Sequence, residues 1–211
     1  MALPRVRQHV NPLSDRYSSP APLPQWEAVY GNLAQPLLLD IGSAKGTFLL
    51  SMAQQYPQRN FLGLEIRASL AEDASRKSHQ LGLTNLHFMF CNVTPSLATL
   101  LASLPKGRLD QVTIQFPDPW FKKRHQKRRV VQPALVEAIA THLAPGGFAF
   151  LQSDIESVAL DMRDRFIAHP GFAAREGKID SPFPVMTERE MMTIERGEPV
   201  YRFQFDRRYG P

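Results

Sequence analysis

The chain has 211 residues, 43% hydrophobic and 21% charged, with a formal net charge of +5; that is enough chain for one domain with a full core, in the composition of an ordinary globular protein. No apolar run reaches the roughly 20 residues of a membrane span, and a single cysteine, Cys91, excludes an internal disulfide and a thiolate zinc cluster. The N-terminus MALPRVRQHVNPLSDRY is basic but lacks the apolar core of a secretory signal, so a reducing cytoplasm is the expected location.

Residues 1–36 carry Pro4, Pro12, Pro20, Pro22, Pro24 and Pro36, which predicts an N-terminal arm with one helical turn around Trp26–Tyr30. From residue 37 to 211 a single unit is expected. PLLLDIG (36–42) reads as a buried parallel strand, and GTFLLSMAQQYP as a helix stopped before Pro57. NFLGLEI (60–66) is the second strand and RASLAEDASRKSHQLGL a helix leaving at Gly82. NLHFMFCNV (85–93), SLATLLASL and LDQVTIQF (109–116) read as strand, short helix and strand. VVQPALVEAIATHLAPGG is a helix whose Pro133 suits the first turn. FAFLQSD (148–154) is the fifth strand, followed by the helix IESVALDMRDRFIAHPG. PVYRFQFDRRY alternates as a strand, with FAAREG as its partner. The expected fold is α/β: a doubly wound, mostly parallel seven-stranded sheet with an antiparallel C-terminal strand.

In such sheets ligands bind beyond the carboxyl ends of the strands. The loop after the first strand, DIGSAKGTF, is bracketed by Gly42 and Gly46, which allow a tight turn and a close approach of ligand to backbone. Its G-x-x-x-G spacing fits neither the dinucleotide fingerprint nor the P-loop, so a pyrophosphate ligand is disfavoured. Glu65 ends the second strand, where an acid accepts hydrogen bonds from ribose hydroxyls. Asn92 ends the third, and its amide offers the donor and acceptor that read an adenine edge. Asp40 adds negative charge beside the loop, which suits a ligand with a cationic part. Together these features describe S-adenosylmethionine, whose ammonium and sulfonium are both positive. Each residue also has a plain structural reading as a strand-end hydrogen bonder.

Past the fourth strand, Asp118 is held between Pro117 and Pro119, which restrict the backbone around it. Trp120 and Phe121 follow, flat surfaces on which a base could stack. Residues 122–129, KKRHQKRR, carry six Lys or Arg and no acid, more than the whole chain's net charge, so the basicity is local. A focused cationic patch attracts polyanions such as nucleic acid.

The segments LDIGSAKGTFLLSMA, NFLGLEIR, LGLTNLHFMFCNV, FPDPWFKKRHQKRR, SDIESVALDM and PVMTERE resemble the bacterial tRNA (guanine-N7)-methyltransferases, class I S-adenosylmethionine-dependent enzymes. FPDPWFKKRHQKRR is the most specific of them. The resemblance implies that Asp40, Gly42, Gly46, Glu65, Asn92 and Asp118 hold the cofactor and that Asp118 is catalytic. It implies substrate contacts from Lys122, Asp154, Thr187 and Glu190, and RNA contacts from Arg124, Lys127, Arg128 and Arg129. The partner implied is tRNA, with guanosine 46 of the variable loop as target. No metal is expected, and the oligomeric state, monomer or homodimer, is left open. The chain departs from the family at Ala44, where many relatives carry Gly, at Asp40, often Glu, and at Arg189, where an aromatic is common.

Other readings stay open. Asp118 could orient guanine or stabilise the charge that develops on it. Asp154 could cap the helix that follows, and Thr187 with Glu190 has capping-box spacing. Arg5 and Arg7 could add phosphate contacts, on an arm expected to be disordered without RNA. A methyltransferase for another RNA position is one alternative function; a non-catalytic RNA-binding module on the same fold is another.

Overall fold

The apolar runs of the sequence become the strands of one sheet in the computed structural model, which describes residues 10–209. They are β1 (Leu37–Ile41), β2 (Asn60–Glu65), β3 (Leu86–Phe90), β4 (Leu109–Gln115), β5 (Phe148–Ser153), β6 (Phe172–Ala174) and β7 (Tyr201–Arg207). The order is β3-β2-β1-β4-β5-β7-β6. The first five are mutually parallel; β7 runs antiparallel to β5 and to β6. The expected mostly parallel seven-stranded sheet is therefore present. Its strand order reverses between β1 and β4, which opens a crevice beyond their carboxyl ends.

The helices are α1 (Trp26–Val29), α2 (Thr47–Gln55), α3 (Ala68–Gln80), α4 (Val93–Ala102), α5 (Pro133–His142), α6 (Glu156–Ile167) and α7 (Glu188–Glu195). Among the described residues, no helix is long and apolar enough to cross a membrane. Pro133 occupies the first turn of α5 as its missing N–H requires. The helix α4 begins three residues earlier than its apolar pattern suggests, because Pro95 also falls in a first turn, where no intrahelical N–H bond is lost. Asn92 is consequently the N-cap of α4, its side chain accepting from Thr94 N.

The two sheet faces carry separate apolar clusters. Leu37, Leu39, Ile41, Leu62, Leu64, Val112, Ile114 and Leu151 face one, and Leu38, Phe61, Phe88 and Phe150 the other. The N-terminal arm meets this core at a few points, Trp26 and Tyr30 inside it and Ala21, Val29 and Leu33 packed against it. Trp26 and Tyr30 are buried; Trp26 Nε1 donates to Ser103 Oγ at 3.0 Å and the Tyr30 hydroxyl to Phe61 O at 3.0 Å. These two large aromatics supply much of the apolar area that ties the arm to the core. Arg5 and Arg7 lie outside the described residues.

Candidate active site

Side chains in a strand alternate faces. On the face that carries Leu38 and Phe61, the carboxyl ends of the strands turn polar: Asp40 on β1, Glu65 on β2, Thr113 and Gln115 on β4, and Gln152 on β5. Asp40 is in register with Thr113, whose Oγ1 donates to Asp40 Oδ1 at 2.6 Å. Gln115 is in register with Gln152, whose Nε2 donates to Gln115 Oε1 at 2.7 Å. One face thus holds an apolar core at one end and a bonded polar floor at the other.

Two cavities open on this floor. The smaller, about 130 Å³, is lined by Gly42, Glu65, Asn92 and Asp118 among others, so four of the expected site residues meet at one hollow. The larger, about 730 Å³, is lined by Asp40, Lys45, Phe121, Asp154, Thr187 and Arg189 among others. Gly42, Arg67, Gln115, Phe116, Pro117 and Asp118 border both. Asp118 therefore stands at the junction.

The loop after β1 is built for close approach. Gly42 has φ +87°, and a Cβ there would project into open space beside the cavities. Ala44 has φ +49°, a left-handed conformation that favours Gly. Its N–H donates to Glu65 Oε2 at 2.9 Å. Gly46 behaves differently. It lines neither cavity, and a Cβ on it would meet the Phe88 ring at 2.5 Å. Its lack of a side chain serves the packing of this loop on Phe88 and Ala74.

Glu65 is buried, and both its oxygens are engaged. Oε1 accepts from Arg67 N and Nε at 2.9 and 2.8 Å; Oε2 accepts from Ala44 N and from Arg67 Nη2 at 3.0 Å. The four donors occupy all of the carboxylate's acceptor positions, two of them through the Arg67 guanidinium. Sequence reading missed Arg67, because nothing in local pattern ties a helix-capping arginine to the acid two residues before it.

Burial pushes the Asp40 carboxyl from its ordinary value near 3.8 up to about 6; the Thr113 bond opposes this and Glu65 adds to it. A raised folded pKa means that ionised Asp40 destabilises the fold, with a cost that grows from about pH 4 to 6 and reaches about 3 kcal/mol above that window. Asp40→Asn keeps the acceptor for Thr113 without the charge. We expect it to raise unfolding stability at pH 8 by up to this amount, with the advantage vanishing near pH 4. Urea titrations at the two pH values check this.

The turn after β4 stores strain. Phe116 and Trp120 have φ +49° and +44°, flanking Pro117, Asp118 and Pro119. Non-glycine residues hold such angles only where their surroundings over-determine them. Here Arg129 Nε donates to Pro119 O at 2.9 Å, and Arg128 lies over the Trp120 ring at 5.0 Å.

That bracing corrects part of the expected RNA surface. Arg129 is buried and paired with Asp161 at 3.2 Å, and Arg128 is half-buried, whereas Lys122, Lys123, Arg124 and Lys127 are exposed. The basic run divides into outward cations and two arginines that hold the turn. Glu190 is corrected as well. It is 1% exposed and borders neither cavity. It completes the capping box of α7 with Thr187, and its oxygens bond Arg202 Nη2 at 2.7 Å and Gln152 Nε2 at 3.1 Å. Thr187 does border the larger cavity. Asp154 is not a helix cap, since Ile155 takes that position; it pairs with Arg189. A second pair, Lys45 Nζ to Glu188 at 2.8 Å, joins the β1 loop to the same helix. Asn92 borders the smaller cavity, but both its N–H groups are bonded to the N-terminal segment.

Comparisons with known proteins agree with this geometry. A family model described as a putative methyltransferase matches residues 34–203. A tRNA (guanine-N(7)-)-methyltransferase from Nostoc sp. is 59% identical, covering 98% of this chain and 96% of its own. One from Microcystis aeruginosa is 54% identical over 97% and 99%. The chain belongs to the tRNA (guanine-N(7)-)-methyltransferase family. Among solved structures, an rRNA methylase from Streptococcus thermophilus superposes with TM-score 0.53 at 10% identity, over 83% of this chain and 88% of its own, which shows a shared methyltransferase fold.

Proposed function

We propose that the chain transfers a methyl group from S-adenosylmethionine to N7 of a guanine in tRNA, guanosine 46 of the variable loop, in the cytoplasm. The observation that carries this is the junction at Asp118: an acid-lined cavity of nucleoside character meets a larger one beside the exposed cations of residues 122–127.

The residues present fit the cofactor. Gly42 leaves space where a side chain would intrude, and Asp40 and Glu65 supply negative charge suited to a cationic nucleoside. Asp40, Gly42 and Glu65 would hold it, with Arg67 yielding a Glu65 oxygen to the ribose. When bound, S-adenosylmethionine supplies an activated methyl on a sulfonium. Guanine N7 carries an in-plane lone pair, so this chain need not remove a proton. Its task is to orient the base and to face the positive charge that appears on the purine, and orientation alone can supply several kcal/mol. Asp118 would face that charge, Phe121 would stack on the base, and Asp154, Thr187 and Arg189 would meet its far side; all five border the larger cavity.

The test is incubation with unmodified tRNA and S-adenosylmethionine, followed by chemical cleavage at 7-methylguanosine. A single cleavage in the variable loop is expected. Methyl incorporation elsewhere would move the target, and no incorporation together with no calorimetric binding of the cofactor would leave an RNA-binding module.

A further inference from the structure

Asn92 was expected to present its amide to a ligand, yet that amide is turned to the chain's own N-terminal segment. Its Nδ2 donates to Pro12 O and to Tyr17 O, each at 2.8 Å, and its Oδ1 accepts from Thr94 N at 3.2 Å. Asn92 is 6% exposed, so these bonds form in a site shielded from competing water. A primary amide puts two donors on one uncharged atom, which suits two converging carbonyls. Between the two anchors the segment makes a 3₁₀ turn, Asp15–Tyr17. The Tyr17 ring meets Phe90 edge-on at 6.3 Å between centroids, and Ala21 N donates to Ser96 Oγ at 2.9 Å. Tied at these points, the segment brings Val10 and Pro12 to the wall of the smaller cavity, which Glu65 and Asp118 also line.

We propose that residues 10–18 are part of the nucleoside site: Val10 and Pro12 supply an apolar wall for the purine of the cofactor, and Asn92 is a positioning residue that ties this wall down. The proposal rests on reading the smaller cavity as a nucleoside site. An aliphatic side chain and a pyrrolidine ring present rigid apolar surface at little entropic cost, which suits a flat heterocycle. The wall belongs to a segment far from the sheet in sequence, so its affinity depends on contacts that do not touch the ligand. Tyr17 is the cleanest of these, since its ring does not line the cavity.

Calorimetry with S-adenosylhomocysteine on the full-length protein tests this, using Asn92→Asp, Tyr17→Ala and the double variant. Aspartate retains the N-cap acceptor of α4 and removes both donors to the segment, so the helix cap is kept while the tie is lost. We expect each single variant to weaken binding at least fivefold, and the double variant to weaken it by clearly less than the product of the two. Amide hydrogen exchange of residues 10–18 should slow in the wild-type protein when the probe is added. If Asn92 reads the base directly, Tyr17→Ala leaves the dissociation constant unchanged and the full Asn92→Asp loss persists beside it; that result overturns the proposal alone. A wild-type protein that does not bind the probe overturns both this proposal and the function it builds on.

Discussion

Asp118→Ala is expected to lower kcat by about 10²–10³-fold, the usual effect of removing one preorganised electrostatic group, while tRNA affinity changes by less than about twofold. The carboxylate is held by a turn whose conformation is enforced from several sides. Pro117 and Pro119 restrict the backbone, Phe116 and Trp120 are locked at positive φ, and Arg129 grips the Pro119 carbonyl. Little reorganisation remains to be done during reaction, so a lost charge translates into barrier height. The tRNA should still bind, because the exposed cations lie further along the chain. Asp118→Asn keeps shape without charge and should fall close to alanine if charge is the main contribution. Single-turnover kinetics at saturating tRNA, with filter binding beside them, separate the two quantities. Unchanged turnover would remove Asp118 from the chemistry.

The second large effect concerns the basic run. Replacing Lys122, Lys123, Arg124 and Lys127 with Ala should flatten the slope of log affinity against log salt by about 3, close to one unit for each phosphate contact removed. Arg129→Ala should act in another way. Its guanidinium is buried against Asp161 and Pro119 O, and Asp161 keeps Arg165 at 3.3 Å as a second partner. Breaking a buried pair of this kind costs about 3 kcal/mol, the low end of the usual range. The expected signature is a lower unfolding midpoint and slower turnover, with the salt slope preserved. An unaltered slope in the fourfold variant would place the RNA surface elsewhere.

These contrasts show what kind of information a sequence holds. The strands were legible because a buried parallel sheet demands apolar runs of limited length, and PLLLDIG, NFLGLEI and FAFLQSD satisfy that demand locally. Asp40, Glu65 and Asp118 were legible because each ends such a run, where a polar residue stands out against its neighbours. Asp118 was further marked by its prolines. The boundary of α4 was misjudged because Pro95 is a helix breaker in the interior and harmless in a first turn, and only the formed helix says which applies.

The chain by itself determined the order of elements, the sheet that follows from it, and the strand ends at which acids and glycines would gather, because backbone geometry and hydrophobic burial act over a few residues at a time. Which of those polar groups remain for a ligand was decided by the folded protein. Asn92 bonds Pro12 across 80 residues of sequence, and Glu190 bonds Gln152 across 38. Arg129 finds Asp161, and Gly46 finds Phe88. A side chain has few donors and acceptors, burial obliges each to be satisfied, and the groups that satisfy them come from parts of the chain that only folding brings together.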